Sequence, residues 1–387
     1  VERFKKEVLR CNRCGECYTP PHQGPKWEAS ARSSIILQKT HGMPFHRLAK
    51  LQSLCGVPVA SSTLWHQCHD VWIEGAQAVY EELLALTAQS DLLYIDDTGA
   101  KILSVVVANK DVSTKKKKGC HTTIVRAQAE KQNLVVYITD QKTAGKNLGT
   151  LLEQRIHPHH SLKLMSDASS MNKIVIDSRQ DKSFLEDLSL SQGYCLNHGL
   201  RKFKDLLPYY PEICGYFVEQ GQLIYHHDHL CKTYSARKRL TYHQQHSSGC
   251  IKNIYQKIHG LFKEKKVEPN SVLGQAMRYW LNHRKPLTAF LRVKGMPLNN
   301  NCSEEGLRSI ILQRKNSYFF KTTYSARVLS GLHSIIKTCE VNQINSFAYL
   351  NWLQEQGSKV QRNPKDYLPF AYQKELESRA PPNERAA

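Results

Sequence analysis

Acidic side chains are outnumbered in this chain, so the places where they gather are where its chemistry is sought first. Two adjacent aspartates, Asp96 and Asp97, close the apolar run "LLYIDD"; Asp167 closes another, "LKLMSD"; Glu304 and Glu305 open the helical pattern of "NNNCSEEGLRSIIL". Carboxylates held on rigid elements, distant in sequence and convergent in space, are what a pair of Mg²⁺ ions needs to straddle a scissile phosphate. One ion activates the attacking oxygen and the other steadies the leaving one. The same residue types also serve local needs: Asp97-Thr98-Gly99 is turn chemistry, Asp167 caps a following segment, and Glu304 in a first turn suits the helix dipole. Asp167 follows Asp96 by 71 residues, room for several strands and a helix. Glu304 follows Asp167 by 137, which demands an inserted domain before the last helix.

A second chemistry sits at the start. "CNRCGEC" sets Cys11, Cys14 and Cys17 at two-residue gaps, with His22 just beyond. A Cys-x-x-Cys turn brings two thiolates onto one Zn²⁺, which takes four ligands, so Cys11 and Cys14 form half a site. Cys17 and His22 complete it, or a second pair lies upstream; Val1 in place of a methionine predicts a missing N-terminal piece. The other cysteines, scattered through a long chain, read as reduced and buried. "YHHDHLC" offers His226, His227, His229 and Cys231, but adjacent histidines point in different directions and make poor joint ligands; these, like His157, His159 and His160, read as polar surface.

The elements that must position these groups follow from periodicity. Residues 44–86 read as helices: Pro44 in a first turn, a stripe of Phe45, Leu48 and Leu51, a stop at Gly56, then a second helix capped by Ser61 or Ser62 and carrying Leu64, Cys68, Val71, Trp72 and Val79. That is the outline of a helix-turn-helix. From residue 91, "DLLYIDD", "KILSVVVAN", "HTTIVRAQ" and "NLVVYITD" predict consecutive strands, some antiparallel. "AGKNLGTLLEQRI" is helical, "SLKLMSD" a strand, and "GYCLNHGLRKF" a further strand. Residues 201–295 form a mainly helical insertion. Helical periodicity then resumes, with Leu329, Leu332, Ile336 and Cys339 on one face, and the polar stretch from 356 reads as an extended arm with "YLPFAY" its one sticky point. The fold class is α/β, a mixed sheet flanked by helices.

Lys and Arg number 54 against 34 Asp and Glu, a formal charge of +20, which suits a polyanionic partner and nucleic acid first. No apolar run approaches the roughly 20 residues of a spanning helix, and no signal peptide opens the chain, which predicts a soluble protein of the cytoplasm, associated with the nucleoid. Lys115 to Lys118, the run Arg237, Lys238 and Arg239, and the group Arg308, Arg314 and Lys315 after Glu304 are the candidate phosphate contacts. Arg308 lies one helical turn past the glutamate.

Several long blocks, in order, resemble the transposases of the bacterial insertion sequence sixty-six family: "YIDDTGAKIL", "LMSDASSMN", "YCLNHGLRKF", "YHQQHSSG", "KKVEPNSVLGQAMRYWLNHRKPLTAFLRVKGMPLNNN", "GLRSIILQRKNSYFFKT" and "INSFAYL". The resemblance implies an RNase H-like fold and a DDE triad, carried over as Asp96, Asp167 and Glu304. It also implies that "CNRCGEC" is the second half of a zinc-binding region. Glu304 shares a helical face with Leu307 and Ile311, which favours it over Glu305. Strand alternation leaves Asp96 and Asp97 both open, because a central strand can be apolar on both faces; the resemblance assigns Asp96. Two departures stand out: Asn299, where the family usually carries aspartate, and Leu200, at a usually basic position.

The implied organisation is a zinc knuckle in 1–25, a helical DNA-binding region in 26–88, the catalytic core in 89–200 and 296–355, the helical insertion in 201–295, and a tail in 356–387. The implied activity is cleavage of transposon-end DNA and joining of its 3′ ends to target DNA, with Mg²⁺ or Mn²⁺ at the triad and Zn²⁺ at the knuckle. Its partners would be DNA, further copies of the chain and accessory proteins of the element. The alternative is a catalytically weakened DNA-binding remnant, motivated by Val1 and Asn299.

Overall fold

In a computed structural model, residues 8–18, 27–110, 119–129, 132–156, 161–172, 174 and 188–379 are described. His22, Lys115 to Lys118, His157, His159 and His160 lie outside them.

The chain opens with a small hairpin, β1 (Leu9–Arg10) and β2 (Cys17–Tyr18), followed by α1 (Ala29–Thr40), α2 (Phe45–Leu54), α3 (Ser61–Val71) and α4 (Gln77–Gln89). A π-helical turn, Trp72–Ala76, joins α3 to α4 without a break. The central segment holds β3 (Leu92–Ala100), α5 (Leu103–Ala108), β4 (Cys120–Ala129), β5 (Gln132–Asp140), α6 (Ala144–Leu152), β6 (Leu162–Ser166) and β7 (Leu190–Tyr194). Helices follow: α7 (Leu196–Lys204), which straddles the expected start of the insertion at 201, then α8 (Pro211–Leu230), α9 (Ala236–Lys263), α10 (Val272–Asn282) and α11 (Arg284–Leu287) within it. The chain closes with α12 (Asn301–Ser317), α13 (Thr323–Val341), α14 (Ser346–Gln356), α15 (Lys359–Arg362) and α16 (Pro369–Arg379).

Five strands make one mixed sheet in the order β5-β4-β3-β6-β7. The β3–β4 and β4–β5 pairs are antiparallel, while β3–β6 and β6–β7 are parallel. Both faces are covered. Leu93 and Ile95 of β3, Val125 of β4, Val136 of β5 and Leu164 of β6 join one core with α3, α4, α6 and α13. On the other face, Ile124, Val135 and Tyr137 pack against Leu307 and Ile310 of α12. Tyr94 and Met165 meet the insertion there. A sheet sandwiched this way explains strands that are apolar on consecutive residues rather than alternately.

The free edge of β5 is closed by a helix. Ser330 and Thr139 share a hydroxyl hydrogen bond at 2.7 Å; Tyr137 N–H donates to Ser334 Oγ at 2.8 Å; Val135 N–H donates to Thr338 Oγ1 at 3.2 Å; Asn133 N–H donates to Asn342 Oδ1 at 3.0 Å. Four residues of helix rise about 6 Å and two of strand about 6.6 Å, so polar residues every fourth position on α13 meet every second residue of β5. The edge's backbone groups are thereby satisfied without another strand.

Several expectations change. "KILSVVVAN" forms no sheet strand: Ile102 makes an isolated bridge to Phe320, and α5 follows. The N–H groups of Leu103 and Ser104 bond Phe320 O and Lys321 O, so this short apolar run finds its partners beyond α12 rather than in the sheet. "GYCLNHGLRKF" is divided: its first residues end β7 and the rest is α7. Pro44 and Ala60, not Pro44 inside the helix or a serine, are the N-caps of α2 and α3, and Leu51 is 43% exposed. The expected extended arm is helical as far as Arg379, because Val360, Leu368 and Tyr372 dock into the main core. Leu329, Leu332, Ile336 and Cys339 are buried as read.

Candidate active site

Parallel pairing of β3 with β6 aligns Leu92 with Lys163 and Tyr94 with Met165, an offset of 71 residues. Asp96 and Asp167 differ by the same 71, so continuing the register sets Asp167, just past the end of β6, beside Asp96, midway along β3, at a strand spacing of about 4.8 Å. Side chains alternate along a strand, which puts Asp96 on the face of Tyr94 and Asp97 on the face of Ile95. The cross-strand partner of Asp96 is Ile124, which packs against α12. That of Asp97 is Thr123, which accepts from Asn147 Nδ2 of α6 at 3.0 Å. Asp96 therefore looks toward the helix that carries Glu304, and Asp97 toward α6 and His121, whose Nδ1 lies 3.6 Å from its carboxylate.

Three hydrogen bonds fix the first turns of α12 on the sheet. Buried Asn300, at its N-cap, donates through Nδ2 to Ile95 O at 2.9 Å. Arg126 Nη1 donates to Cys302 O at 2.9 Å, and Tyr137 Oη to Gly306 O at 2.9 Å. Gly306 allows the close approach: a Cβ there would lie 2.4 Å from Ile124 Cδ1. Glu304 sits half-buried in the first turn, while Glu305 is exposed.

The electrostatics are those of crowded carboxylates. Burial is the main cause that pushes Asp96 up to about 7; the charges of Asp167, Asp97 and Glu304 add to it, against the N–H of Asp97, which donates to Asp96 Oδ1 at 2.9 Å. Burial also raises Asp97, opposed first by His121. Asp167 Oδ1 accepts from Ser169 N–H at 2.9 Å and from Asn172 Nδ2, which hold that carboxylate in one orientation. Glu304 Oε1 is a buried oxygen without a hydrogen-bond donor; Asp97 Oδ2 is another, but on the opposite face of the sheet beside His121. Crowded, like-charged oxygen ligands with one buried oxygen left over are a donor set that fits a divalent cation.

Sequence reasoning missed the groups that face Glu304 from α7. His198 Nδ1 lies 3.7 Å from Glu304 Oε1 and Arg201 Nη2 lies 4.0 Å from Oε2, with Cys195 close enough to join His198 and Glu304 as a possible ligand group. The block "YCLNHGLRKF" held these residues, but nothing in its spacing says that α7 packs beside α12. Of the proposed phosphate contacts, Arg308 and Lys315 are exposed, whereas Arg314 Nη1 bonds Thr98 Oγ1 at 2.9 Å and Gly99 O at 2.6 Å and so braces the end of β3. Asn299 Oδ1 accepts from Asn301 N–H at 3.1 Å, a local Asx turn before the helix that an amide oxygen can make as a carboxylate would.

At the N-terminus, Cys11 and Cys14 flank a tight turn with Gly15 at φ 75°. N–H groups of Cys14 and Arg13 lower the Cys11 thiol, favouring the thiolate a metal needs. Among the described residues no third ligand converges on these two cysteines, Cys17 included. In the insertion the histidines 226, 227 and 229 do not converge; Asp228, Cys231 and His243 do, with His243 Nε2 3.1 Å from Asp228 Oδ1 and Arg239 also on that carboxylate. The arginine already compensates the aspartate's charge, so the group reads as a buried hydrogen-bond network.

The model of the family described as "Transposase IS66 family" matches residues 26–328. The chain belongs to this transposase family. It is also similar to two uncharacterized proteins of Sinorhizobium fredii: y4jD, 26% identical over 166 residues, and y4qI, 25% identical over 127. These alignments cover 42% and 32% of this chain but only 31% and 22% of the relatives, so the chain spans less than a third of the length of the curated relatives it matches. Among the described residues no helix is long and apolar enough to cross a membrane.

Proposed function

We propose that this chain is a DDE-type transposase on an RNase H-like core: it binds the ends of its element, hydrolyses a phosphodiester to free a 3′ hydroxyl, and directs that hydroxyl at target DNA. The observation that carries this reading is the shared 71-residue offset, which sets Asp167 at the end of β6 beside Asp96 of β3, with α12 bringing Glu304 over the same face. Asp96, Asp167 and Glu304 are the residues that would hold Mg²⁺, or Mn²⁺ in its place. Bound there, such ions supply a polarised water or hydroxyl and charge neutralisation at the phosphate.

The chain's own groups do the rest. Ser169 and Asn172 occupy one oxygen of Asp167 and hold the carboxylate in place. Asn300, Arg126 and Tyr137 fix the height of Glu304 above the sheet, and Arg201, with exposed Arg308 a turn past Glu304, puts positive charge beside the scissile phosphate. His198 crowds Glu304 Oε1 and limits its rotation. The N-terminal helices 26–88 would contribute DNA contacts, and Cys11 with Cys14 would hold Zn²⁺ once two further ligands are supplied. Further copies of the chain would synapse two ends.

The deciding experiment is an assay with labelled end DNA, Mg²⁺ and a target plasmid. Wild type should nick the end and join it; Asp167→Asn should lose both while binding DNA as before. Equal cleavage by the variant sinks the assignment. Asn299 motivates the second reading, a DNA-binding remnant, which the same assay supports if wild type binds and never cuts.

A further inference from the structure

Beside Asp167 a cleft of about 270 Å³ opens between the catalytic face and the insertion, lined by His198, Arg201 and Lys202 of α7 and Tyr279 of α10. It shares Lys202, Asp205 and Tyr279 with a second cleft of about 460 Å³ that continues over the insertion past Arg278 and His283. The two together make one path leading away from the carboxylates. Arg201, Lys202 and Arg278 are exposed along it; the acids that line it are Asp167, at the catalytic end, and Asp205.

Tyr279 stands at the junction. Its edge is held by His283, ring centroids 4.7 Å apart at 67°, and Lys202 Nζ lies 4.6 Å over its face. A flexible ammonium on the face of a half-buried ring marks a face open to the cleft. A phosphate that drew Lys202 aside would uncover a flat platform of the size a base stacks on. Helices packed side by side lie roughly 8–10 Å apart, so the furrow between α7 and α10 is narrower than a duplex. Bases inside a duplex are also stacked on one another and cannot reach Tyr279.

We propose that this furrow takes an unpaired DNA strand leading from the catalytic carboxylates over the insertion, with Tyr279 stacking a base and Arg201, Lys202 and Arg278 on its phosphates. The inference rests on the transposase reading for its placement, since it names the form of DNA that the same site handles.

The experiment uses the full chain without added metal and measures anisotropy of a labelled duplex, blunt or with an oligo-dT extension of about ten nucleotides, within the site sizes single-strand grooves use. Wild type should bind the extended probe about tenfold tighter than the blunt one. Tyr279→Leu, which keeps the apolar packing, should lose that preference and bind blunt duplex unchanged, and Tyr279→Phe should keep it. Arg278→Ala should lower the salt slope for the extended probe by about 0.7, the share of one single-strand phosphate, and leave the blunt slope alone. An extension preference absent from wild type, or intact in Tyr279→Leu, overturns the proposal. The two readings fail separately: an extension preference without any cleavage by wild type sinks only the catalytic assignment, and cleavage without the preference sinks only this one.

Discussion

Replacing Gly306 by alanine tests whether the height of α12 over the sheet sets the chemistry. The new Cβ would lie 2.4 Å from Ile124 Cδ1 and 3.4 Å from Tyr137 Oη. Carbon atoms in contact sit about 3.5 Å apart or more, so roughly 1.1 Å must be found. Ile124 is fully buried among Val135, Tyr137 and Leu307, which leaves its methyl little room to swing away, and the helix must lift. Stability should fall by at most about 2 kcal/mol: alanine gains about 1 kcal/mol in helix propensity over glycine, and overpacking costs about 1–3 kcal/mol. Activity should fall much further, because a misplacement of ~1 Å at a reacting centre costs up to about a hundredfold. Ile124→Val deletes the clashing methyl at a cost of about 0.5–1.5 kcal/mol and should restore most of the lost strand cleavage in the double variant. Cleavage rates on labelled end DNA, with melting curves alongside, decide it. Full activity in Gly306→Ala, or a double variant no better than the single, would refute the claim that this contact positions Glu304.

Other perturbations follow from the same contacts. Asp96, held near 7 by burial and neighbouring carboxylates against an ordinary 3.8, favours the folded state fully below about pH 4 and loses that contribution as pH rises through about 7. Urea melts from pH 4 to 8 should show this loss, Asp96→Asn should flatten it, and Mg²⁺ at pH 8 should raise the stability of wild type but not of the variant; an unchanged slope in Asp96→Asn contradicts the cause given. Thr338→Val removes the hydroxyl that accepts from Val135 N–H and donates to Val135 O, both at 3.2 Å, and should cost about 1–3 kcal/mol in chemical denaturation. A loss within measurement error would mean that the edge of β5 is satisfied some other way. Asn300→Ala leaves the buried Ile95 carbonyl without its donor and should cost a similar 1–3 kcal/mol. Because Asn300 starts the glutamate helix, cleavage should drop more steeply than stability, and parallel losses would argue for a purely structural role.

The sequence was legible where one element carries the signal. Strand-forming runs at 92, 120 and 132, the helical insertion, and the apolar face of α13 all follow from periodicity within a single segment, because burial selects residue type locally. It misled where a segment's partner is remote. "KILSVVVAN" has the composition of a strand yet turns into α5, since its backbone bonds go to Phe320 and Lys321; the polar tail folds because three apolar residues reach a core built from elsewhere. The stripe Ser330, Ser334, Thr338 and Asn342 was in plain view and went unread, its meaning being a strand edge two hundred residues earlier in the chain.

The site divides in the same way. Residue types, order and the 71-residue interval between Asp96 and Asp167 are properties of the sequence, and with the motif blocks they were enough to indicate the transposase family. Which aspartate of the pair faces Glu304 depends on strand parity relative to the helix packed on the sheet, and that His198, Arg201 and Tyr279 stand beside the carboxylates depends on how the insertion docks. Both are set by long-range packing, in which distance along the chain carries no information about distance in space.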